Sequence, residues 1–183
     1  MNNPRYSEWI DISHGLIKIE MLLHGTAQGL GIIDVELIEE FPTIDMTAKI
    51  SGDEPRYKRL RHITLSELWI MGAYEFVRLL NEIILKDKSR FKSETIQALK
   101  ETKTKLAEVR IPLVKFEKQG KKEALYSGVS WFTFDQVKGI GWKLYIVENH
   151  NVETTVVYRR DLGDSLLNLL KKIKHDLFPN TVH

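Results

Sequence analysis

A long stretch in the first half of the chain has apolar residues at helical spacing. It begins at Thr64-Leu65-Ser66-Glu67, which has the form of a capping box, with Ile63 and Leu68 placed to form the accompanying hydrophobic staple. Apolar positions three and four residues apart then continue as far as Ile84. The pattern predicts a helix over 64–86. Its inner, buried face is predicted to carry Leu68, Trp69, Phe76 and Leu80.

A second amphipathic stretch begins near Ser93 and extends towards Phe116, with an outer face rich in lysine and glutamate. Pro112 lies inside this pattern. Because proline has no N–H and its ring crowds the preceding turn, the helix is predicted to kink there or to end near Arg110. About six residues, 87–92, separate the two helices, which favours an antiparallel helical hairpin.

The pattern becomes alternating after Gly120. Apolar and polar residues alternate from Trp142 to Val147, and a second β-rich run extends from Val152 to Tyr158. The polar segment 148–151 between them predicts a hairpin turn. Residues 125–134 are a weaker strand candidate that Gly128 interrupts, and Gly139-Ile140-Gly141 predicts a turn into the following strand. A last amphipathic helix is predicted to begin at Asp161 as its N-cap and to end before Pro179.

Residues 7–50 are ambiguous, because their apolar runs are typical of either a strand or a buried helix. Glycines at 25, 29 and 31 weaken a continuous helix, since each costs about 1 kcal/mol relative to alanine. We therefore expect two extended or mixed segments around a glycine-rich turn. The predicted fold class is α+β: a helical hairpin and a C-terminal helix packed on a small antiparallel sheet, in a single domain spanning 1–183.

Composition narrows the class of protein. The chain has 183 residues, of which 43% are hydrophobic and 28% charged, as in a soluble globular protein. No apolar run approaches the roughly 20 residues that span a bilayer, so no membrane association is predicted. The polar start Met1-Asn2-Asn3-Pro4-Arg5 does not resemble a signal peptide, which predicts a cytoplasmic location.

The sequence lacks the common motifs for disulfides, metal sites and phosphate-binding loops. There is no cysteine, which excludes disulfides, thiolate zinc sites and a cysteine nucleophile. No two of the six histidines lie three or four residues apart, so no metal site is predicted. The glycine-rich segment 25–31 lacks the Gly-Lys-Ser/Thr ending of a phosphate-binding loop. We therefore predict no cofactor.

Charge is strongly segregated between two neighbouring segments. Residues 32–54 carry seven acids and one base, a net charge of −6, whereas residues 55–62 carry four bases and no acid. The basic stretch is either a solvated loop paired with the acidic segment or a contact for phosphate or RNA, with Tyr57 available to stack on a base. Its candidate binding residues are Arg56, Lys58, Arg59 and Arg61.

Arg56 and His62 are separated by five residues. This spacing resembles the Arg-x4–6-His motif of HEPN-type ribonucleases, all-helical proteins in which the pair cuts RNA without a metal. The resemblance implies that His62 would act as acid or base while Arg56 stabilises the charged phosphorane. It covers seven residues, and Tyr57 stands where that family usually has Asn, Asp or His. The β-rich segment 125–158 departs from an all-helical fold.

Aromatic residues concentrate in the β-rich segment, including Trp131 and Trp142. They would form either the core of the sheet or a binding surface on its uncovered face. We predict a non-enzymatic protein-interaction or regulatory module that self-associates or binds a protein partner, with Trp131 and Trp142 among its binding residues. The alternative is an RNA-binding protein or metal-independent ribonuclease that uses the stretch 56–62.

Overall fold

The computed structural model describes residues 3–46, 53–115, 129–148 and 151–179. Within these ranges the chain forms five α-helices and three β-strands, with short 3-10 turns at Phe41–Thr43 and Lys88–Arg90. The helices are α1 (Pro4–Leu16), α2 (Met21–Glu40), α3 (Asp53–Lys86), α4 (Ser93–Lys115) and α5 (Arg159–Leu177). The strands are β1 (Val129–Asp135), β2 (Gly139–Glu148) and β3 (Asn151–Tyr158). The predicted α+β class is confirmed.

The N-terminal segment is helical, so the prediction of extended or mixed segments in 7–50 is wrong. The side chain of Asn3 caps α1 by accepting from the backbone N–H groups of Arg5 and Tyr6. Gly31 lies inside α2, where a Cβ would come within 2.6 Å of the Trp9 side chain. Glycine is needed at this position for α1 and α2 to approach closely, and this packing outweighs its low helix propensity.

The helix predicted over 64–86 ends as expected at Lys86 but begins eleven residues earlier, at Asp53. Thr64 therefore lies in the helix interior, and the predicted capping box is wrong. The acidic first turn, Asp53 and Glu54, favours this earlier start because carboxylates interact well with a helix N-terminus. Trp69, Phe76 and Leu80 are buried as predicted, whereas Leu68 is 54% exposed and its predicted burial is wrong.

Helices α3 and α4 form the predicted antiparallel hairpin. Arg110 of α4 lies over the ring of Tyr74 at 4.8 Å, and its Nη2 is 3.2 Å from Glu75 Oε1. Helix α4 begins at Ser93 as predicted but continues past Pro112 to Lys115, so an end near Arg110 is wrong. Because Pro112 has no N–H, the helix continues past it without the backbone hydrogen bond to the carbonyl of Glu108. Phe116 lies outside the described residues.

The sheet is antiparallel with the order β1-β2-β3, and the predicted hairpin between β2 and β3 is confirmed. Glu148 pairs with Asn151, while the two residues of the turn between them lie outside the described ranges. The weaker strand candidate is confirmed from Val129 onwards; its start at 125–128 lies outside the described residues. The turn into β2 is at residues 136–138, so the turn predicted at Gly139-Ile140-Gly141 is misplaced and these residues begin the strand; Gly139 follows the turn with φ +76°.

Helix α5 follows β3 directly and begins at Arg159, so Asp161 lies in its first turn and is not the predicted N-cap. Its predicted apolar stripe is confirmed, and it ends at Leu177, before Pro179. The inner face of α5 is buried through Leu162, Leu166, Leu169, Leu170 and Ile173. It lies parallel to α1, because Arg5 pairs with Asp164 and Asp11 pairs with Lys174. Among the described residues, no helix is long and apolar enough to cross a membrane.

Candidate functional site

The basic stretch 56–62 occupies the first turns of α3 and is not the solvated loop that one interpretation expected. Its expected pairing with acids is present for Arg61, which binds Glu36 and Glu40 of α2, the latter at 2.8 Å. Lys58 pairs with Glu54 one turn earlier on its own helix. Arg59 donates through Nη2 to the backbone carbonyl of Asp45 at 2.6 Å. The basic stretch therefore holds α3 against the segment that precedes it.

Arg56 and His62 are not brought onto a common face. Six residues of α-helix correspond to a rotation of about 240° and a rise of about 9 Å. Arg56 is exposed in the first turns of α3, whereas His62 is 1% exposed. The Nδ1 of His62 is 3.4 Å from Glu40 Oε2, and its ring is 5.5 Å from that of Phe41. Burial lowers the pKa of His62 below its ordinary value although Glu40 opposes the shift.

The structure places Trp142 in the core, where it is 1% exposed. Trp142 therefore offers no surface for the predicted aromatic contact, while the side chain of Trp131 lies outside what the structure describes. Among the β1 side chains that the structure describes, Phe132 and Phe134 are partly exposed, at 41% and 39%. In the described part of the chain, no three His, Asp or Glu side chains come together as a metal-binding group.

A line of side chains on the solvent side of α3 forms a second candidate surface. We call it the outer stripe of α3. It consists of Tyr57, Leu60, Thr64, Leu68 and Met71. The three most exposed apolar members are 66%, 52% and 54% exposed at Tyr57, Leu60 and Leu68. Because a helix turns about 100° per residue, all five lie within roughly one quarter of its circumference. Exposed apolar residues in a contiguous stripe are typical of an interaction surface.

The outer stripe is symmetric about Thr64. Leu60 and Leu68 lie four residues from it on either side, and Tyr57 and Met71 lie seven residues from it. The charges beside the stripe are placed in the same way, with Arg61 three residues before Thr64 and Glu67 three residues after. Burial raises the pKa of the Glu67 carboxyl. Among the described residues, no cation is paired with Glu67.

A buried ion cluster joins α1, α2 and α5. Asp34 is fully buried; its Oδ1 accepts from Nη1 of Arg159, and its Oδ2 accepts from Nε of Arg5 at 2.6 Å and from Nε1 of Trp9 at 3.0 Å. Burial alone would raise the pKa of Asp34, but the charges of Arg159 and Arg5 outweigh it and the pKa lies below its ordinary value. Gly163 permits this approach, since a Cβ there would lie 2.8 Å from Asp34 Oδ1.

A cavity of about 230 Å³ lies between α2, the start of α5 and the β1–β2 turn, with His62 of α3 in its wall. Its cationic lining comes from Lys138, Arg159 and Arg160, and none of its described lining residues is acidic. Leu37, Phe41 and Ile140 contribute to an apolar wall. The cavity lies on the side of α3 opposite its outer stripe, because His62 points into the fold.

The sequence interpretation missed both the outer stripe and the buried cluster. The stripe becomes visible when the helical pattern is extended back to Asp53, which the capping-box motif at Thr64 discouraged. The signal for the cluster was a single acid, Asp34, inside the apolar run 32–35. No protein-family model, curated protein or solved structure matches this chain.

Proposed function

We propose that the protein is a non-enzymatic interaction module that self-associates, with the outer stripe of α3 of one copy packed antiparallel on the same stripe of a second copy. The observation that carries the proposal is the symmetry of the stripe about Thr64. A two-fold axis requires a self-complementary surface, in which residue i contacts residue j and residue j contacts residue i. The stripe meets this requirement within one helix.

The register follows from the spacing. In an antiparallel pair centred on Thr64, Leu60 lies opposite Leu68 of the second copy, and Tyr57 lies opposite its Met71. Each apolar pair occurs twice across the two-fold axis. Tyrosine and methionine are enriched in interface cores, where a broad ring meets an adaptable side chain. The contact extends about 21 Å, the length of fourteen residues of α-helix.

The charges support the same register. Arg61 lies opposite Glu67 of the second copy; it already binds Glu36 and Glu40 of its own chain, so Glu67 would share this guanidinium with them. A parallel pair would instead place Glu67 at the level of the second copy's Glu67 and Arg61 at the level of its Arg61, so neither charge would lie at the level of its opposite. Charge complementarity therefore favours the antiparallel arrangement.

Cysteine cross-linking tests this register directly, because the chain has no native cysteine. Thr64→Cys places two thiols at the two-fold axis, where facing Cα atoms come close enough for a disulfide. We expect mild oxidation of this variant to give a covalent dimer. The matched control is Glu75→Cys, which lies on the same side of α3. Its two copies would be about 33 Å apart and should remain uncross-linked.

A second test measures the affinity of the dimer. Leu60→Lys removes two buried leucines per dimer, each contributing about 1.5 kcal/mol or more, and should weaken the dimer roughly 100-fold. The control is Leu22→Lys on α2, since Leu22 is 73% exposed and lies outside the stripe. Sedimentation equilibrium should show a monomer for the first variant at a concentration where the parent and the control are dimers. A monomeric parent, or equal cross-linking at 64 and 75, would refute the proposal.

The RNA-directed alternative remains a prediction from the sequence and gains no support from these contacts. Arg61 and Lys58 are already paired with carboxylates, and Arg56 lies far from His62 around the helix. If the alternative were correct, RNA binding by the parent would weaken steeply with salt. Arg56→Gln would then flatten that dependence, whereas the dimer proposal predicts no RNA binding for either form.

A further inference from the structure

The cavity beside His62 has a lining that suits a small organic anion. The cations Lys138, Arg159 and Arg160 contribute to it, together with apolar side chains such as Leu37 and Phe41. Ligand sites in proteins commonly combine an apolar wall with a few convergent polar groups. The side chains of this lining that carry a charge at neutral pH are all cations, so the cavity favours a negatively charged ligand.

The three cations of the cavity lining differ in whether they have a carboxylate partner. Arg159 shares Asp34 with Arg5, and Arg5 also pairs with Asp164 at 2.6 Å. Arg160 donates through Nη1 to the backbone carbonyl of Val137 at 2.9 Å, and no carboxylate of the described residues is paired with it. Lys138 and Arg159 are paired with Asp161 and Asp34, so Arg160 is the cation of the described lining without a carboxylate partner.

The neighbouring guanidiniums repel one another. Burial is the largest effect that lowers the pKa of Arg159, Asp34 opposes it, and the charges of Arg5 and Arg160 lower it further. An anion placed near Arg160 would reduce this repulsion and would form charge-assisted hydrogen bonds. Lys138 reaches the cavity from the β1–β2 turn, although its Nζ is 2.9 Å from Asp161 Oδ2.

We infer that this cavity binds a small organic anion, with the anionic head at Arg160 and the apolar body against Leu37, Phe41 and Ile140. The volume of about 230 Å³ is smaller than the roughly 300–1,000 Å³ of sites for drug-sized ligands. It fits a single ring or a short chain carrying one carboxylate or phosphate. The inference is independent of the proposed dimer, because the cavity and the outer stripe lie on opposite sides of α3.

Phenyl phosphate is a suitable probe, and benzyl alcohol is its neutral counterpart. In calorimetric titrations of the full chain, we expect phenyl phosphate to bind at least about tenfold more tightly than benzyl alcohol, because the head group contributes charge-assisted bonds. Inorganic phosphate should compete with phenyl phosphate. Equal binding of the charged and neutral probes, or no saturable binding of phenyl phosphate, would overturn the inference.

Variants locate the binding. Arg160→Gln removes the cation that has no described carboxylate partner and should weaken phenyl phosphate binding about tenfold. Arg90→Gln is the matched control, since Arg90 is an exposed arginine in the α3–α4 connection. The imidazole signals of His62, assigned by comparison with His62→Gln, should shift when the probe binds to the parent. An equal loss in both arginine variants, or unchanged His62 signals, would show nonspecific binding and refute the site.

Discussion

Replacement of Asp34 by asparagine would isolate the charge of the buried ion cluster. The Asp34→Asn side chain has nearly the same shape and can still accept from Trp9 Nε1, which is 3.0 Å from Asp34 Oδ2. What it loses is the negative charge shared by Arg159 and Arg5. Arg159 is 3% exposed and remains protonated at all ordinary pH values, so its charge has no other described carboxylate partner.

The expected loss of stability in Asp34→Asn follows from the burial of Arg159. Breaking a buried ion pair by removing one partner costs about 3–5 kcal/mol, because the remaining charge stays desolvated. We expect Asp34→Asn to lower the free energy of unfolding by that amount, out of the roughly 5–15 kcal/mol of a typical domain. Arg5→Met should cost less, about 1–2 kcal/mol, because Arg5 is partly exposed and Asp34 keeps Arg159.

Urea denaturation followed by circular dichroism measures these changes. The combination of Asp34→Asn with Arg159→Met removes both buried charges, so it should destabilise by less than the sum of the two single changes. The size of that difference reports the coupling between the two side chains. An Asp34→Asn variant within about 1 kcal/mol of the parent would contradict the reasoning, since charge pairing would then contribute little.

Three further predictions concern packing and pH. Gly31→Ala should destabilise by about 1–3 kcal/mol, because its Cβ would meet the buried Trp9; Gly29→Ala, with nothing within 4 Å, should stabilise by about 1 kcal/mol in the same thermal unfolding series. The folded state holds the pKa of His62 below 6.5, so the unfolded chain takes up a proton first and stability should fall as pH drops below that value. A His62→Gln variant should show a flatter pH dependence in urea titrations. Leu80→Ala should cost about 2–5 kcal/mol in chemical denaturation, since Leu80 is fully buried.

The sequence predicts the fold best where one face of an element is apolar and the other polar. Helix α5 and the β2–β3 hairpin have this property, so their periodicity indicates both the element and its buried side. Helix α2 does not, because the apolar Met21, Leu22 and Ile32 are exposed while Asp34 is buried. Gly31 of this helix admits Trp9 of another helix. A helix-propensity penalty assigned to each glycine separately does not include this packing contact between Gly31 and Trp9.

The sites are harder to predict because they depend on distant pairings. Arg159 and Asp34 are 125 residues apart, and periodicity does not indicate which of the acids in 32–54 becomes buried. Arg56 and His62 are the opposite case. A motif of nearby residues suggested that they form one site, but the helix places their side chains on different parts of its circumference. The segregation of charge along the sequence did predict one of these pairings, since Arg61 of the basic stretch binds Glu36 and Glu40 of the acidic segment.

The buried pairing of Asp34 in α2 with Arg159 in α5 has a consequence for biosynthesis. At about 5–20 residues per second, the 125 residues that separate Asp34 from Arg159 take a ribosome about 6–25 s to add. During this interval Asp34 has Arg5 beside it and lacks the guanidinium of α5. Closing α1 onto α2 would then bury Asp34 with one of its two guanidinium partners, so the hydrogen bond from Arg159 to Oδ1 would still be missing. The buried cluster is therefore completed only after α5 has been synthesised.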